Sequence, residues 1–135
     1  MAARGAWAQA FPAKPVRLVV AFAPGGATDT FSRVTAAEMT KSLGQQVIVE
    51  NRPGAGTTIA AEHVSKSAPD GYTLLFTDLS THTITPSIYA KLGYNPLRDF
   101  AAVAPVSSSP LIMVAHPSVG IKSAKELIAL AKKHP

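Results

Sequence analysis

The chain has 135 residues, 47% of them hydrophobic, with a mean hydropathy of +0.17; this excludes a wholly disordered polypeptide, while no apolar run approaches the roughly 20 residues of a membrane-spanning helix. Thirteen Lys and Arg against eight Asp and Glu give a net charge of +5, but the positive charges stand singly apart from Lys132-Lys133 and do not interleave with aromatics, so no nucleic-acid partner is expected. With no cysteine, no metal-ligand cluster and no nucleophile beside a base, neither cofactor nor metal is expected, and the residues point to binding rather than to an enzyme.

Residues 1–10, MAARGAWAQA, carry Arg4 and end in Ala8-Gln9-Ala10, small residues flanking one position as at a signal-peptidase site, although the apolar core of a leader is missing. They are expected to be the tail of a signal peptide, with a plain N-terminal extension as the alternative. Residues 17–22 (RLVVAF), 46–50 (QVIVE) and 72–77 (YTLLFT) read as buried strands of a largely parallel sheet. Between them lie two predicted helices. The first, over 28–43, spreads Phe31, Val34, Ala37, Met39 and Leu43 across a broad apolar face and stops at Gly44. The second, over 57–66, ends before the turn Pro69-Asp70-Gly71. Strand alternating with helix gives a βαβαβ order, hence an α/β layered domain.

Further along, a short helix over 81–91 is expected, interrupted at Pro86. Strands at 101–106 and 111–115 follow, joined by Ser107-Ser108-Ser109-Pro110, which reads as a hinge between lobes or as a polar loop. Residues 123–133 open with a capping-box pattern, Ser123-Ala124-Lys125-Glu126, and continue as an amphipathic helix through Leu127, Ile128, Leu130 and Ala131. A chain that stops one helix after a new strand reads as cut rather than finished.

Three loops carry the chemistry. The first strand breaks at Ala23-Pro24-Gly25-Gly26 and a helix begins near Ala27-Thr28-Asp29, an arrangement that aims bare N–H groups and the positive end of a helix dipole at one spot. Gly25 and Gly26 would let a carboxylate approach the main chain, and Thr28 adds a hydroxyl. The alternative is a plain strand-to-helix turn capped by Thr28 or Asp29. The Asp29 charge repels an anion unless it points away or meets a donor. Asn51-Arg52-Pro53-Gly54-Ala55-Gly56-Thr57 lacks the lysine of a phosphate loop and the third glycine of a dinucleotide fingerprint, although Asp78 lies where a ribose-binding acid would; it reads as a turn before a helix. Thr77, Asp78, Ser80, Thr81 and His82 follow the third strand, at the carboxyl edge where open parallel sheets bind ligands; the alternative is that they cap and cover a helix. His63, His116 and His134 have no partner at metal-ligand spacing.

In order, KPVRLVVAFAPGGATDT, QQVIVENRPGAGT, APDGYTLLFTD, STHTITPSIYAKLGYNPLRDF and HPSV…KSAKELIALAK closely resemble the tripartite tricarboxylate transporter substrate-binding receptors, the Bug family, across nearly all of residues 11–135. The resemblance implies a type II periplasmic-binding-protein-like fold, exported to the periplasm, whose two lobes close on a small carboxylated metabolite and pass it to a membrane permease. Residues 11–106 would be the first lobe without its C-terminal return, and 107–135 the crossover and start of the second lobe. By analogy Ala23, Gly25, Gly26, Thr28 and Asp29 join Thr77, Asp78, Ser80 and His82 as ligand-binding residues, with main-chain donors and water holding the carboxylates. Thr85-Pro86 stands where the family often has Asn-Pro. A truncated lobe would expose apolar faces, so pairing with a second copy by exchange of 111–135 is expected. The alternatives are a nucleotide-binding enzyme domain using the Gly54–Gly56 turn and a degenerate fragment that oligomerises without ligand.

Overall fold

The computed structural model describes residues 10–110 and 112–134. Of the leader pattern only Ala10 is among them; Leu111 and Pro135, the ends of the predicted exchange segment, also lie outside. Strands β1 (Val16–Val20), β2 (Val47–Asn51) and β3 (Thr73–Phe76) form one sheet, all parallel and in the order β2-β1-β3. The register places Leu18 opposite Val49 on one side and Leu74 on the other. The central position of β1 explains why its sequence is apolar except at Arg17, the one exposed position, because a strand bonded at both edges and covered over most of both faces has little solvent side. Val16, Leu18, Val19 and Val20 are each at most 3% exposed.

The pleat sends alternate residues to opposite faces. Val16, Leu18 and Val47 pack with Ala36 of helix α1 (Ala27–Leu43), bordered by Met39, Leu43, Val49, Leu74 and Phe76. Val19 and Ala21 pack with Ala60 of helix α2 (Thr58–Ser65), bordered by Val64 and Leu75. Full burial of one valine stabilises by about 1.5–3 kcal/mol, so each helix is fixed by a small aliphatic cluster of its own. The sheet-facing stripe of α1 differs from the broad face expected. Ser32 and Ala36 are buried and Met39 and Leu43 partly so, whereas Phe31 and Val34 are 46% and 60% exposed. Small side chains in the stripe allow close approach to β1 and β2, which turns the bulkier residues outward. Gly44, in the left-handed region at φ 64°, closes α1 with its N–H on the Thr40 carbonyl at 3.1 Å.

Helix α3 (Ser80–Ile88) includes Pro86 without being interrupted by it. The proline falls in the last turn, where its missing N–H forfeits only the bond to the His82 carbonyl. Helix α4 (Ala124–Lys133) starts as expected, with Ser123 Oγ accepting the Glu126 N–H at 3.2 Å; Glu126 Oε2 reaches back one residue further than in a capping box, to the Lys122 N–H at 2.6 Å.

The strands expected at 101–106 and 111–115 do not form: residues 101–110 and 112–115 are exposed and belong to no strand. A strand is stabilised by a neighbour's ladder and a covered face. No element among the described residues offers either one here, and Val103 and Val114 remain 81% and 85% exposed. Composition that favours a strand is insufficient without a partner.

Candidate functional site

Parallel pairing brings the C-terminal ends of all three strands to one edge, with β1 between its neighbours. The loop after β1 and the loop after β3 are therefore adjacent, as a site at the carboxyl edge of a parallel sheet requires. Ala23, Gly25 and Gly26 are exposed there, and Thr28 is half-buried at the first turn of α1. Gly25 sits at φ 88°, where an L side chain is strained, and Gly26 is the extended N-cap at φ −80°.

Asp29 is 4% exposed, and its carboxylate is turned inward as the hub of this corner. Oδ2 accepts the Gly25 N–H at 2.9 Å and Arg33 Nε at 3.0 Å, while Oδ1 accepts Asn51 Nδ2 at 2.9 Å. Asn51 Nδ2 also donates to the Phe22 carbonyl at 3.0 Å, and Arg33 reaches Asn51 Oδ1 at 3.1 Å. The Arg33 bond, followed by the Gly25 amide and Asn51, holds the Asp29 carboxyl far below the usual carboxylate range. The Asp29 charge is thus matched by a guanidinium and two further donors. The same bonds commit the Gly25 amide, so at this corner the amides of Gly26, Ala27, Thr28 and Asp29, at the N-terminus of the 17-residue α1, are left without a hydrogen-bond partner among the described residues.

On the second wall, Asp78 is exposed and its Oδ1 accepts both the N–H of Ser80, at 3.0 Å, and the Ser80 hydroxyl. Half-buried Thr77 shares a hydroxyl bond with Thr81, which is fully buried and stands behind the wall rather than in it. Thr81 Oγ1 donates to Thr57 Oγ1 at 2.8 Å, and the Thr81 carbonyl accepts the Tyr94 hydroxyl at 2.9 Å. His82 packs edge-on against Phe100, with ring centroids 5.2 Å apart and Nδ1 3.3 Å from the Pro96 carbonyl.

The second glycine turn is more unusual than a plain connection: Gly54, Ala55, Gly56 and Thr57 all have positive φ, from 46° to 124°. Thr85 Oγ1 clamps this turn through the Gly56 carbonyl at 2.9 Å. Arg33 and Asn51, the partners of Asp29, were not singled out from the sequence. The i,i+4 spacing of Asp29 and Arg33 was a usable signal, whereas the place of Asn51 depends on which strand lies beside β1. Among the described residues no helix is long and apolar enough to cross a membrane.

The description "Tripartite tricarboxylate transporter family receptor" matches residues 31–135. BugT of Bordetella pertussis is 40% identical over 129 residues, covering 95% of this chain and 40% of that protein. The structure is similar to MatC from Rhodopseudomonas palustris with bound malate, at 48% identity and a TM-score of 0.68 over 71% of this chain and 33% of that one. It is also similar to R. palustris Rpa4515 with adipate, at 32% identity and a TM-score of 0.70 over 93% of this chain and 42% of that one. A further solved relative, BugD, is a periplasmic binding protein. The chain spans about two fifths of the length of the curated relatives it matches. Its α/β architecture is that of part of a periplasmic binding protein, and by sequence and fold the chain belongs to the tripartite tricarboxylate transporter receptor family, the Bug proteins.

Proposed function

We propose that this chain forms one wall of a periplasmic receptor that binds a small carboxylated solute for a tripartite transporter, without catalysing a reaction. Residues 11–106 serve as the first lobe and 107–135 as the crossover and start of a second. The supporting observation is the corner at α1: four unpartnered amides at a helix N-terminus, beside an aspartate whose charge is already matched. A solute carboxylate docks on Gly26, Ala27 and Thr28, with Ala23 and Gly25 shaping its approach and Asp29 holding the loop. Thr77, Asp78, Ser80 and His82 line the other end of the solute. The malate and adipate bound by two solved relatives support this ligand class.

One wall binds weakly. Micromolar affinity requires about −8 kcal/mol, whereas two or three charge-assisted hydrogen bonds give about 1.5–3 kcal/mol each before the cost of immobilising the solute. Titration of the ¹⁵N-labelled chain with malate is expected to move the amide resonances of residues 26–28 with millimolar affinity and to leave them unmoved by ATP or NAD. Nucleotide-dependent shifts at Gly54 and Gly56, with none at 26–28, would overturn the reading. We propose in addition that the exposed apolar segment, with Ile112 and Met113 at 79% and 69% exposure, pairs with a second copy through 111–135. Light scattering across a concentration series is expected to show mass growing with concentration, and a monomer throughout refutes the pairing.

A further inference from the structure

The turn before β3 joins an aspartate to a glycine, Asp70-Gly71, and the N-terminal arm lies over it. Gly71 sits at φ 80°, and a Cβ there would stand 3.2 Å from Cε2 and Cζ of Phe11, so the Phe11 ring rests on the glycine itself. The same ring tilts against Tyr72, with centroids 5.0 Å apart. Ala13 donates its N–H to the Tyr72 hydroxyl at 2.7 Å, and Lys14 Nζ stands 4.3 Å from the centre of the Tyr72 ring and 3.3 Å from Asp70 Oδ2. Asp70 Oδ1 accepts the Tyr72 N–H at 3.0 Å. That bond first, and the Lys14 ammonium beside it, hold the Asp70 carboxyl below the usual carboxylate range.

An aspartate followed by glycine is prone to isomerise, because no side chain shields the glycine nitrogen. The reaction draws on the neutral carboxyl, whose carbon is the better electrophile. The Gly71 nitrogen bonds to Asp70 Cγ, its proton and the carboxyl hydroxyl leave as water, and a cyclic imide results. Water then reopens the imide; where it breaks the bond between the nitrogen and the main-chain carbonyl carbon of Asp70, the chain runs on through Cγ as an isoaspartate. Water is the only co-reactant.

We infer that Asp70-Gly71 is a site of spontaneous backbone isomerisation that the docking of residues 11–14 holds in check. The arm keeps the carboxylate charged and keeps Gly71 under the Phe11 ring. Its hold is local: Phe11 is 59% exposed and the Lys14 side chain 60% exposed, so the arm opens without the sheet. Isomerisation adds a carbon to the backbone just ahead of β3, where the Tyr72 carbonyl accepts the Arg17 N–H at 2.8 Å, and it thereby disturbs the seat of the arm as well.

The full chain is held, folded or in urea, at about pH 5, where a free aspartate keeps a neutral fraction, and isoaspartate at residue 70 is read by peptide mapping with isoaspartyl methyltransferase labelling. It should form several-fold faster in urea than in the folded chain, a comparison that needs no variant. Phe11→Ala and Lys14→Ala should raise the folded-state rate several-fold. Tyr94→Phe, which weakens the fold away from the arm, should leave the rate where it stands. No isoaspartate at residue 70 in urea overturns the site. Equal rates in the folded and unfolded chain, or Phe11→Ala and Lys14→Ala proteins that isomerise no faster than the parent, overturn protection by the arm. A Tyr94→Phe protein that isomerises as fast as Lys14→Ala overturns it too, because global unfolding would then set the rate.

Discussion

Two neighbouring glycines separate conformation from ligand approach. Gly25 has φ 88° and no atom within 4 Å of where a Cβ would stand, so Gly25→Ala meets no clash and its cost is that of the left-handed backbone alone, about 1–2 kcal/mol. At about 3–5 °C per kcal/mol for a chain between the 100- and 150-residue classes, the melting temperature should drop by roughly 3–10 °C. Gly26 is extended, and its nearest neighbour to a new Cβ is the Ala23 carbonyl at an ordinary 3.8 Å. There an alanine loses a few tenths of a kcal/mol of N-cap preference and regains about as much from a stiffer unfolded chain, so the melt should barely move. Its methyl, however, adds bulk at the residue whose own amide is proposed to hold the carboxylate, and malate affinity should fall roughly tenfold as a charge-assisted bond is lost. Thermal melts by circular dichroism and ¹⁵N titrations read the two effects apart. A Gly25→Ala melt equal to that of the parent refutes the left-handed constraint. A Gly26→Ala protein that is stable and binds malate undiminished refutes main-chain recognition at this corner.

The depressed pKa of Asp29 makes stability depend on acid. A carboxyl whose folded pKa lies below its unfolded value, about 3.9, contributes fully above that value and loses the contribution as pH falls toward the folded pKa. Urea midpoints should therefore hold steady at neutral pH and decline below about pH 4, and Asp29→Asn should flatten that decline; an unchanged acid limb contradicts the hub. At the alkaline end burial pushes the Tyr94 phenol up, so its contribution is complete below about pH 10 and declines as pH rises further. Tyr94→Phe should remove that alkaline decline in urea melts. It should also cost about 1–2 kcal/mol at neutral pH by leaving the Thr81 carbonyl without its 2.9 Å donor, and a neutral substitution would show that water replaces the bond. Asn51→Ala cuts the bonds to Phe22 and Asp29, and broadened amide resonances confined to residues 22–29 are the expected sign; unchanged line widths there would show that Asn51 does not hold the corner.

What the sequence revealed and what it hid follow from how far each feature reaches along the chain. The order of β1, α1, β2, α2 and β3 was legible because each strand holds a short apolar run, that of β1 broken only at Arg17, and because Gly44 and Gly71 punctuate the chain locally. The strands expected at 101–106 and 111–115 do not form because a strand is a property of two segments, and β-branched composition states only one half of the pair. Phe31 and Val34 misled for a related reason: a helix face is chosen by fit against the sheet, and the small Ser32 and Ala36 won the contact.

The corner at Asp29 combines both cases. Its turn was legible, because glycines before a helix start leave a local trace. From the sequence alone its charge counts against an anion unless the side chain points away or meets a donor. The second condition is met by Arg33 and by Asn51, which is 22 residues away in the chain and adjacent only because β2 pairs with β1. A carboxylate fixed by a guanidinium, an amide side chain and the Gly25 N–H adds little net negative field at the helix terminus. It also takes up the Gly25 amide, which leaves the amides of 26–29 as the unpartnered donors at the start of α1. The acid thus holds the Gly25 end of the turn, and on the proposed reading a solute carboxylate docks beside a charge that is already matched.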